Sequence, residues 1–343
     1  MNTDTLRNTY AALAKAGEDL DLPPYFRSMT NSFLGDSLWK EYLGILALAP
    51  SLEGRTVLDF GCKFGHTLPI LHALGASKCI GVDVDDEYLA TGNRAFQAIG
   101  FPGAMVKSDD GYMAIESETV DFVLVNEVIS HVNPCYLDTL YSELARVLKP
   151  GGHILISDGN NRANGSCVVD LRQLYAAWEN GPEGADTGRD VVNRSFRQRR
   201  RDVIAKAHPT LAADRLDYLA DTTSGLFGDR LLSEVGKYLS GKGWVERRFR
   251  SGVCPTNPMP GGVVMERAFH PIQVELSLAE FGIAAKQVSI ARPGTGSTLG
   301  RLKAAVKQAL TRVLYPPEFR GESWAFQILG RKLGEAPAKW ELR

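Results

Sequence analysis

The chain has 343 residues, of which 44% are hydrophobic, and its formal net charge is −1. This is enough for a large core in one or two domains. The near-zero charge gives no general attraction to nucleic acid or anionic membranes, and the longest apolar run, 42–49, is too short to span a bilayer. Five cysteines without a Cys-x-x-Cys pair disfavour a disulfide framework or a zinc cluster, and the amino terminus lacks a signal-peptide core. We therefore expect a cytoplasmic protein with no nucleic-acid partner and no stable membrane insertion.

Residues 1–50 are predicted to form a helical cap before the first strand. Apolar side chains recur at helical spacing between residues 38 and 46, and the Pro23–Pro24 pair interrupts the pattern upstream. The chain then alternates strands with helices, and the strands are predicted near residues 56–60, 79–83, 104–107, 120–125 and 153–157. Because these runs are continuously apolar, we expect a Rossmann-like, doubly wound α/β core with helices on both faces of a parallel sheet.

Residues 56–66, Thr-Val-Leu-Asp-Phe-Gly-Cys-Lys-Phe-Gly-His, form the most informative stretch of the chain. An apolar strand runs into Asp59, a turn with Gly61 and Gly65 follows, and an apolar helix comes next. Glycines let a ligand approach the backbone closely, and the N–H groups at a helix start face it. The next apolar strand ends at Asp83, where a carboxylate can accept both hydroxyls of a ribose. This pattern predicts a site for an adenosine cofactor.

The order of acid and glycines distinguishes between adenosine cofactors. A dinucleotide site would have Gly-x-Gly-x-x-Gly, with room for a pyrophosphate. An acid in the loop instead repels a diphosphate and suits a ligand that carries an ammonium and a sulfonium. The run from Asp59 to Gly65 resembles motif I of the class I S-adenosylmethionine-dependent methyltransferases, commonly Asp-x-Gly-Cys-Gly-x-Gly. Lys63 departs from that motif, because the family usually has its middle glycine there.

Three further segments resemble the same family in the required order. Residues 104–111 resemble the third strand and its loop, residues 120–131 the fourth strand and its exit, and residues 143–157 the helix, turn and fifth strand. The resemblance covers residues 38–160 and implies S-adenosylmethionine as the cofactor. It implies cofactor contacts for Asp59, Gly61, Cys62, Lys63, Gly65, Asp83, Val84, Asn126 and Asp109, the last with Asp110 as the fallback for binding the adenine amino group.

Two polar residues after the fourth strand are candidates for the chemistry. Glu127 and His131 are four residues apart, and on a short helix they would share one face. One hypothesis is a His131 base oriented by Glu127. The alternative is that His131 is structural and that Asn126 and Glu127 line the cofactor side. No metal is predicted, although Glu127, Asp158 and Asn161 would together offer oxygen ligands to magnesium.

The pattern of the core, residues 51–159, stops after Asp158. Residues 160–268 have mostly helical spacing, and we expect them to form a substrate lid at the carboxyl edge of the sheet, where α/β folds bind ligands. Residues 269–343 are expected to complete a seven-stranded sheet whose last strand is reversed. They include predicted strands at 283–290 and 324–329 and a basic amphipathic helix at 302–314.

The resemblance implies methyl transfer to a hydroxyl, or secondly an amine, of a small-molecule substrate, as in quinone-biosynthesis and sugar or natural-product methyltransferases. Two alternatives stay open. Lys63 favours a catalytically inactive S-adenosylmethionine-binding partner or regulatory protein, and a nicotinamide-dependent dehydrogenase would bind NAD instead. The basic run at 194–201 is either a solvated helix face or a grip for an anionic substrate. The sequence does not specify the oligomeric state.

Overall fold

The computed structural model describes residues 3–35, 37–109, 112–183, 194–288 and 323–334. Its strands are β1 (Thr56–Phe60), β2 (Lys78–Asp83), β3 (Ala104–Asp109), β4 (Tyr112–Met113), β5 (Val120–Asn126), β6 (Leu148–Asp158), β7 (Ile283–Val288) and β8 (Phe326–Lys332). They form one eight-stranded sheet in the order β4-β3-β2-β1-β5-β6-β8-β7. The predicted α/β fold is therefore present.

The five central strands run parallel, as their apolar sequences predict. β1 pairs with β2 and β5, while β3 and β6 extend the sheet on either side. Val57 and Leu58 are neighbours in β1 and so point to opposite faces, and both have no exposed surface. Burial on both faces explains why these strands show no alternation of polar and apolar residues.

The carboxy-terminal strands confirm the expected reversal but not the expected count. β8 is antiparallel to both β6 and β7. The sheet has eight strands rather than seven, because β4 adds an edge strand antiparallel to β3. β4 has two residues, which is too short to leave a periodic pattern in the sequence.

Three helices precede the sheet and pack against it: α1 (Thr3–Asp19), α2 (Pro24–Leu34) and α3 (Ser37–Leu46). We call them the cap. Their apolar side chains share one buried cluster with β1 and with the helix that follows it. The Tyr10 hydroxyl donates to the His66 carbonyl over 2.6 Å, and the Thr30 hydroxyl lies 2.7 Å from Nε2 of the same residue. The cap is thus hydrogen-bonded to the loop that follows β1.

The helices of the core begin and end with local signals that the sequence carries. They are α4 (Leu68–Ala73), α5 (Asp86–Ile99) and α6 (Leu137–Val147). The Asp85 carboxylate accepts from two backbone N–H groups at the start of α5, and Gly100 ends that helix with a φ of 66°. Before α6, the Asn133 side chain accepts from Cys135 N. The α-helix begins at Leu137, after a short 3₁₀ turn that contains Pro134.

In the described part of the segment between β6 and α11 (Pro271–Glu280) lie four helices: α7 (Gly165–Asn180), α8 (Phe196–Ala207), α9 (Ala213–Thr222) and α10 (Gly228–Leu239). We call residues 160–268 the insertion. Helices α8 to α10 share an apolar cluster of their own. Both ends of the insertion meet beside β6, because Phe269 N donates to Asn160 O and Arg162 N donates to Phe269 O. The insertion therefore leaves the sheet and returns to it at one place.

The basic run at residues 194–201 pairs with acids of the insertion. Arg197 and Arg201 form ion pairs with Asp221 and Asp217 on α9, and Arg194 pairs with Asp202. Arg200 is 1% exposed, and its guanidinium binds the buried carboxylate of Glu179 on α7. The pairs made by Arg197, Arg200 and Arg201 connect α8 to α9 and α7.

Two predicted features fall partly or wholly outside the described residues. The basic helix at 302–314 lies outside them, as do the last two residues of the strand predicted at 283–290. Within the described ranges, no helix is both long enough and apolar enough to cross a membrane.

Candidate functional site

The loop after β1 lies at the carboxyl ends of β1 and β2 and is anchored to both strands. Gly61 N and Cys62 N both donate to Val82 O, over 2.7 and 3.0 Å. Gly61 has a φ of 79°, and a Cβ atom there would lie 2.3 Å from Cγ2 of Val128. Only glycine fits this position, since both the backbone angle and the space exclude a side chain. The sequence-predicted turn is therefore fixed by packing as well as by hydrogen bonds.

Lys63 stands where the family that the chain resembles has glycine, and the backbone angle at this position explains why glycine is usual there. Its φ is 50°, in the left-handed region that glycine adopts freely and other residues rarely do. Lys63 N donates to Oδ2 of Asp83 over 2.8 Å, and its Nζ lies 3.3 Å from the Tyr25 hydroxyl of the cap. The loop keeps the glycine conformation despite the lysine, and the lysine side chain turns away to the cap.

Asp83 ends β2 and organises the neighbouring backbone. Its Oδ1 accepts from Val84 N and Asp85 N, over 2.8 and 3.1 Å, while Oδ2 accepts from Lys63 N. Burial raises the pKa of Asp83, although these three N–H donors favour the charged form. Each carboxylate oxygen has two lone pairs, so Oδ2 keeps the capacity to accept a further hydrogen bond from a ligand hydroxyl.

Asp59 is buried at the end of β1 with an unsatisfied oxygen. The residue is 4% exposed, and its Oδ2 has no hydrogen-bond partner among the described residues. Burial raises the pKa of Asp59 to about 7, against the opposing effect of the Thr67 hydroxyl. Asn126 Oδ1 is a second buried acceptor without a partner in the same described ranges. A pair of unsatisfied acceptors, one of them a carboxylate, fits a ligand that presents an ammonium group.

Tyr42 brings the cap into the same place. Burial, then the negative charge of Asp59, raises the pKa of Tyr42 to about 12, against the opposing effect of the Thr67 and Asn126 side chains. The sequence placed Tyr42 only in an apolar stripe. An amphipathic pattern does not distinguish a tyrosine that packs from one whose hydroxyl reaches a site.

The residues predicted for the adenine are less closely assembled. Asp109 ends β3, its side chain is 79% exposed, and it lies 3.4 Å from Nζ of Lys107. Val84 is exposed and Cys62 is buried. Asp110 lies outside the described residues. The structure therefore brings together Asp59, Asp83, Asn126 and the loop at 61–65, and it leaves the contacts of Asp109 and Asp110 as predictions.

Glu127 follows β5 in a left-handed backbone conformation. Its φ is 54°, and its Oε2 accepts from Gly159 N over 3.1 Å, which links the exits of β5 and β6. The side chain of Glu127 borders open space on one side. Desolvation by the protein atoms around it, and then the negative charge of Asp158, nevertheless raise the pKa of Glu127 to about 7. Asp158 is fully buried, and burial raises its pKa to about 6.

Glu127 and His131 do not share the helix on which the hypothesis of an oriented base depended. His131 ends a three-residue 3₁₀ turn, Ile129–His131, rather than standing on an α-helix with Glu127. The spacing argument assumed 3.6 residues per turn, and the positive φ of Glu127 breaks that geometry. The carboxylate beside His131 is Glu266 of the insertion, with Nε2 and Oε1 3.7 Å apart. A partner this distant in sequence leaves no local signal.

The possible magnesium ligands are engaged in protein hydrogen bonds. Asp158 accepts from Ser130 N and Asn160 N, and Asn161 accepts from Ala163 N and donates to Ser323 O. Among the described residues, no group of three or more His, Cys, Asp or Glu side chains has the arrangement of a metal site.

Comparison with known proteins identifies the core of the chain. Residues 58–156 match a family model described as "Methyltransferase domain". These residues form a methyltransferase domain. The match spans β1 to β6 and so includes Asp59, Asp83 and Asn126. It confirms the resemblance to class I S-adenosylmethionine-dependent methyltransferases, and with it S-adenosylmethionine as the cofactor of this domain.

Three curated relatives are similar over part of the chain. The ribosomal protein L11 methyltransferase of Xanthomonas oryzae pv. oryzae is 35% identical over 143 residues, which are 41% of this chain and 42% of the relative. Phosphoethanolamine N-methyltransferase 1 of Triticum aestivum is 31% identical over 118 residues, 33% of this chain and 23% of the relative. The ubiquinone biosynthesis O-methyltransferase of Rhizobium etli is 31% identical over 118 residues, 34% of this chain and 46% of the relative. The chain thus spans less than half the length of each of these three relatives.

Proposed function

We propose that the chain is a methyltransferase that transfers a methyl group from S-adenosylmethionine to a hydroxyl of a small-molecule acceptor. The observation that carries the proposal is the pair of carboxylates at neighbouring strand ends, joined by the loop at 61–65. The buried Asp59 lacks a partner on Oδ2 among the described residues, and Asp83 is oriented by three backbone N–H groups. Their spacing along the chain matches the family whose domain spans residues 58–156.

The chain's own residues then have distinct tasks. Asp59 and Asn126 would accept hydrogen bonds from the ammonium end of the cofactor, and Asp83 from its ribose hydroxyls. S-adenosylmethionine supplies an electrophilic methyl carbon on a sulfonium. Because the reaction is an in-line displacement, the remaining task is to hold the acceptor oxygen in line and to take its proton. Glu127 and His131 lie on the acceptor side of this arrangement, beyond the ends of β5 and β6.

The small-molecule hydroxyl is favoured over other acceptors by the place of the insertion. Its ends meet beside β6, and its residues 264 and 266 contact His131, so it would enclose the acceptor side as a lid. One relative is named an O-methyltransferase of ubiquinone biosynthesis. Nitrogen acceptors come second, since phosphoethanolamine N-methyltransferase is also a relative.

A catalytically inactive cofactor-binding protein is the alternative. Lys63 was the feature in its favour, but the loop retains the left-handed conformation at that position. The lysine therefore does not by itself disable the loop, and turnover is the measurement that separates the two functions.

Binding of S-adenosylhomocysteine, measured by calorimetry, is the first test. We expect Asp83→Ala to weaken binding by about 1–3 kcal/mol, because a hydrogen bond from the ribose to a charged acceptor is lost. Asp85→Ala is the matched control: it removes the cap of α5 but no proposed ligand contact, so its affinity should be unchanged. Equal affinities for Asp83→Ala and the unsubstituted chain would refute the ribose assignment.

Transfer of a labelled methyl group from S-adenosylmethionine to a panel of phenols, alcohols and primary amines is the second test. We expect product on at least one hydroxyl acceptor. Binding of S-adenosylhomocysteine without transfer to any of these acceptors would favour the inactive binding protein. A rise in melting temperature with NAD but not with S-adenosylhomocysteine would favour a dehydrogenase.

A further inference from the structure

His131 and Glu266 lie next to each other beyond the ends of β5 and β6, on the proposed acceptor side. The Nδ1 atom of His131 lies 3.2 Å from Val264 O. A carbonyl oxygen only accepts hydrogen bonds, so Nδ1 carries the hydrogen in this contact. Nε2 is then the ring atom that can take up or release a proton. It lies 3.7 Å from Oε1 of Glu266, which is too long for a hydrogen bond but close enough for an ion pair.

Glu266 is held in place by one contact to its side chain and one to its backbone. Its Oε2 accepts from Asn160 Nδ2 over 2.6 Å, and its carbonyl accepts from the Tyr175 hydroxyl over 2.6 Å. Its φ is 60°, a left-handed conformation that a glutamate rarely adopts. Strained conformations of this kind persist where the surroundings determine them, and they are common at functional sites.

Both side chains remain open on one side. The exposed fraction is 34% for the His131 side chain and 31% for that of Glu266. Among the described residues, the ionisable groups around the pair include Asp158 at the end of β6, Glu127 after β5, Tyr141 of α6 with Arg267 beside it, and the thiols of Cys167 and Cys254. Of the carboxylates, those of Glu266 and Asp158 interact electrostatically with the imidazole of His131.

We propose that His131 is the base for the acceptor hydroxyl and that Glu266, supplied by the insertion, is the positioning residue that stabilises its protonated form. This inference rests on the proposed function. In the step, the acceptor's O–H bond would break and its proton would pass to Nε2 of His131. The acceptor oxygen would form a bond to the methyl carbon as the S–C bond of the sulfonium breaks and leaves a neutral thioether. One positive charge would thus be lost at sulfur and one gained on the imidazole, so the net charge of the site would be the same before and after the step. The negative charge of Glu266 would then stabilise the positive charge in its new position on the imidazole.

The assignment gives the insertion a part in the chemistry. Val264 and Glu266 belong to one short segment of it, and together they fix the ring orientation and its counter-charge. Asn160, the other end of the insertion, holds the carboxylate. A lid that only enclosed the acceptor would need none of these contacts.

Turnover on the hydroxyl acceptor found in the methyl-transfer panel tests the proposal. We expect Glu266→Gln to lower kcat about tenfold at neutral pH, with KM for S-adenosylmethionine changed less than threefold, since the isosteric amide removes the charge but can still accept from Asn160. Glu246→Gln is the matched control, because that exposed carboxylate of the insertion contacts Tyr218 and Arg248 instead.

Glu266→Asp keeps the charge and should restore most of the lost kcat. His131→Asn should lower kcat at least about a hundredfold. An unchanged kcat in a folded Glu266→Gln variant would overturn the proposal, while methyl transfer by the unsubstituted chain would still support the proposed function. A kcat that is equal in all variants would exclude His131 as the base, even if cofactor binding is intact.

Discussion

Cofactor binding should be coupled to the release of a proton from Asp59. The pKa of Asp59 is raised to about 7 by burial, so the carboxyl is half protonated at neutral pH. A ligand ammonium beside its unsatisfied Oδ2 favours the charged form and lowers that pKa. If the pKa returns to its ordinary 3.8, the affinity for S-adenosylhomocysteine should improve about tenfold from pH 6 to pH 8, and about half a proton should be released at pH 7.

Calorimetry in two buffers of different ionisation enthalpy, such as phosphate and Tris, measures the proton release directly. Asp59→Asn should bind more weakly at pH 8 and should lose the dependence on pH. Glu127→Gln is the control, because the pKa of Glu127 is also about 7 but its carboxylate lies on the acceptor side. An affinity that changes less than twofold between pH 6 and pH 8, with no buffer dependence, would refute the ammonium contact. If the pH dependence of affinity persists in Asp59→Asn and disappears in Glu127→Gln, the released proton comes from Glu127 and the assignment to Asp59 is wrong.

The same shift has a consequence for stability in the absence of ligand. The pKa of Asp59 is higher in the folded chain than its ordinary value of 3.8, so its contribution to stability is fully present below about pH 4 and is lost as the pH rises through 7. At pH 8 the full shift corresponds to about 4 kcal/mol, which is an upper bound. Asp59→Asn should therefore raise the free energy of unfolding at pH 8 and change it least near pH 4, as measured by urea denaturation.

Two further substitutions test the loop and the insertion by urea denaturation. Lys63→Gly should raise the free energy of unfolding by about 0.5–1 kcal/mol, because glycine adopts the φ of 50° without strain, and a loss of stability would show that the Tyr25 contact outweighs the strain. Arg200→Met should lower it by about 3–5 kcal/mol, because the Glu179 carboxylate is left buried without its cation. Arg201→Met, which removes a more exposed pair, should cost less than about 1 kcal/mol, and equal losses for the two arginines would contradict the buried-pair reasoning.

The parts of the site that could be predicted from sequence are those that one strand and its following turn encode. The run at 56–66 fixes β1, the glycine turn and the start of α4, and Asp83 follows as the last residue of the next apolar strand. Both acids stand at the strand positions that the sequence predicted, because each is tied to its own strand. The lysine at residue 63 departed from the family motif, so the φ of 50° at that residue came from the structure.

The contacts that could not be predicted join distant segments. Glu266 and His131 are 135 residues apart in the sequence. Only the folded insertion brings them together. Arg200 looked like any other member of a basic run, yet it is the one buried against Glu179. Such choices depend on which face of a helix meets which neighbour, and charge patterns on a helix do not specify that partner.

The hydrogen bonds between the cap and His66 should couple two equilibria, the docking of the cap and the binding of the nucleoside. Tyr10 and Thr30 hold the residue that follows Gly65, so the cap contributes to the shape of the loop that we propose binds the nucleoside. Coupling between two equilibria is reciprocal. Any free energy that docking of the amino-terminal helices adds to nucleoside binding, nucleoside binding must add to docking. Saturating ligand should therefore slow amide exchange in α1 and α2, although neither helix has to touch the ligand.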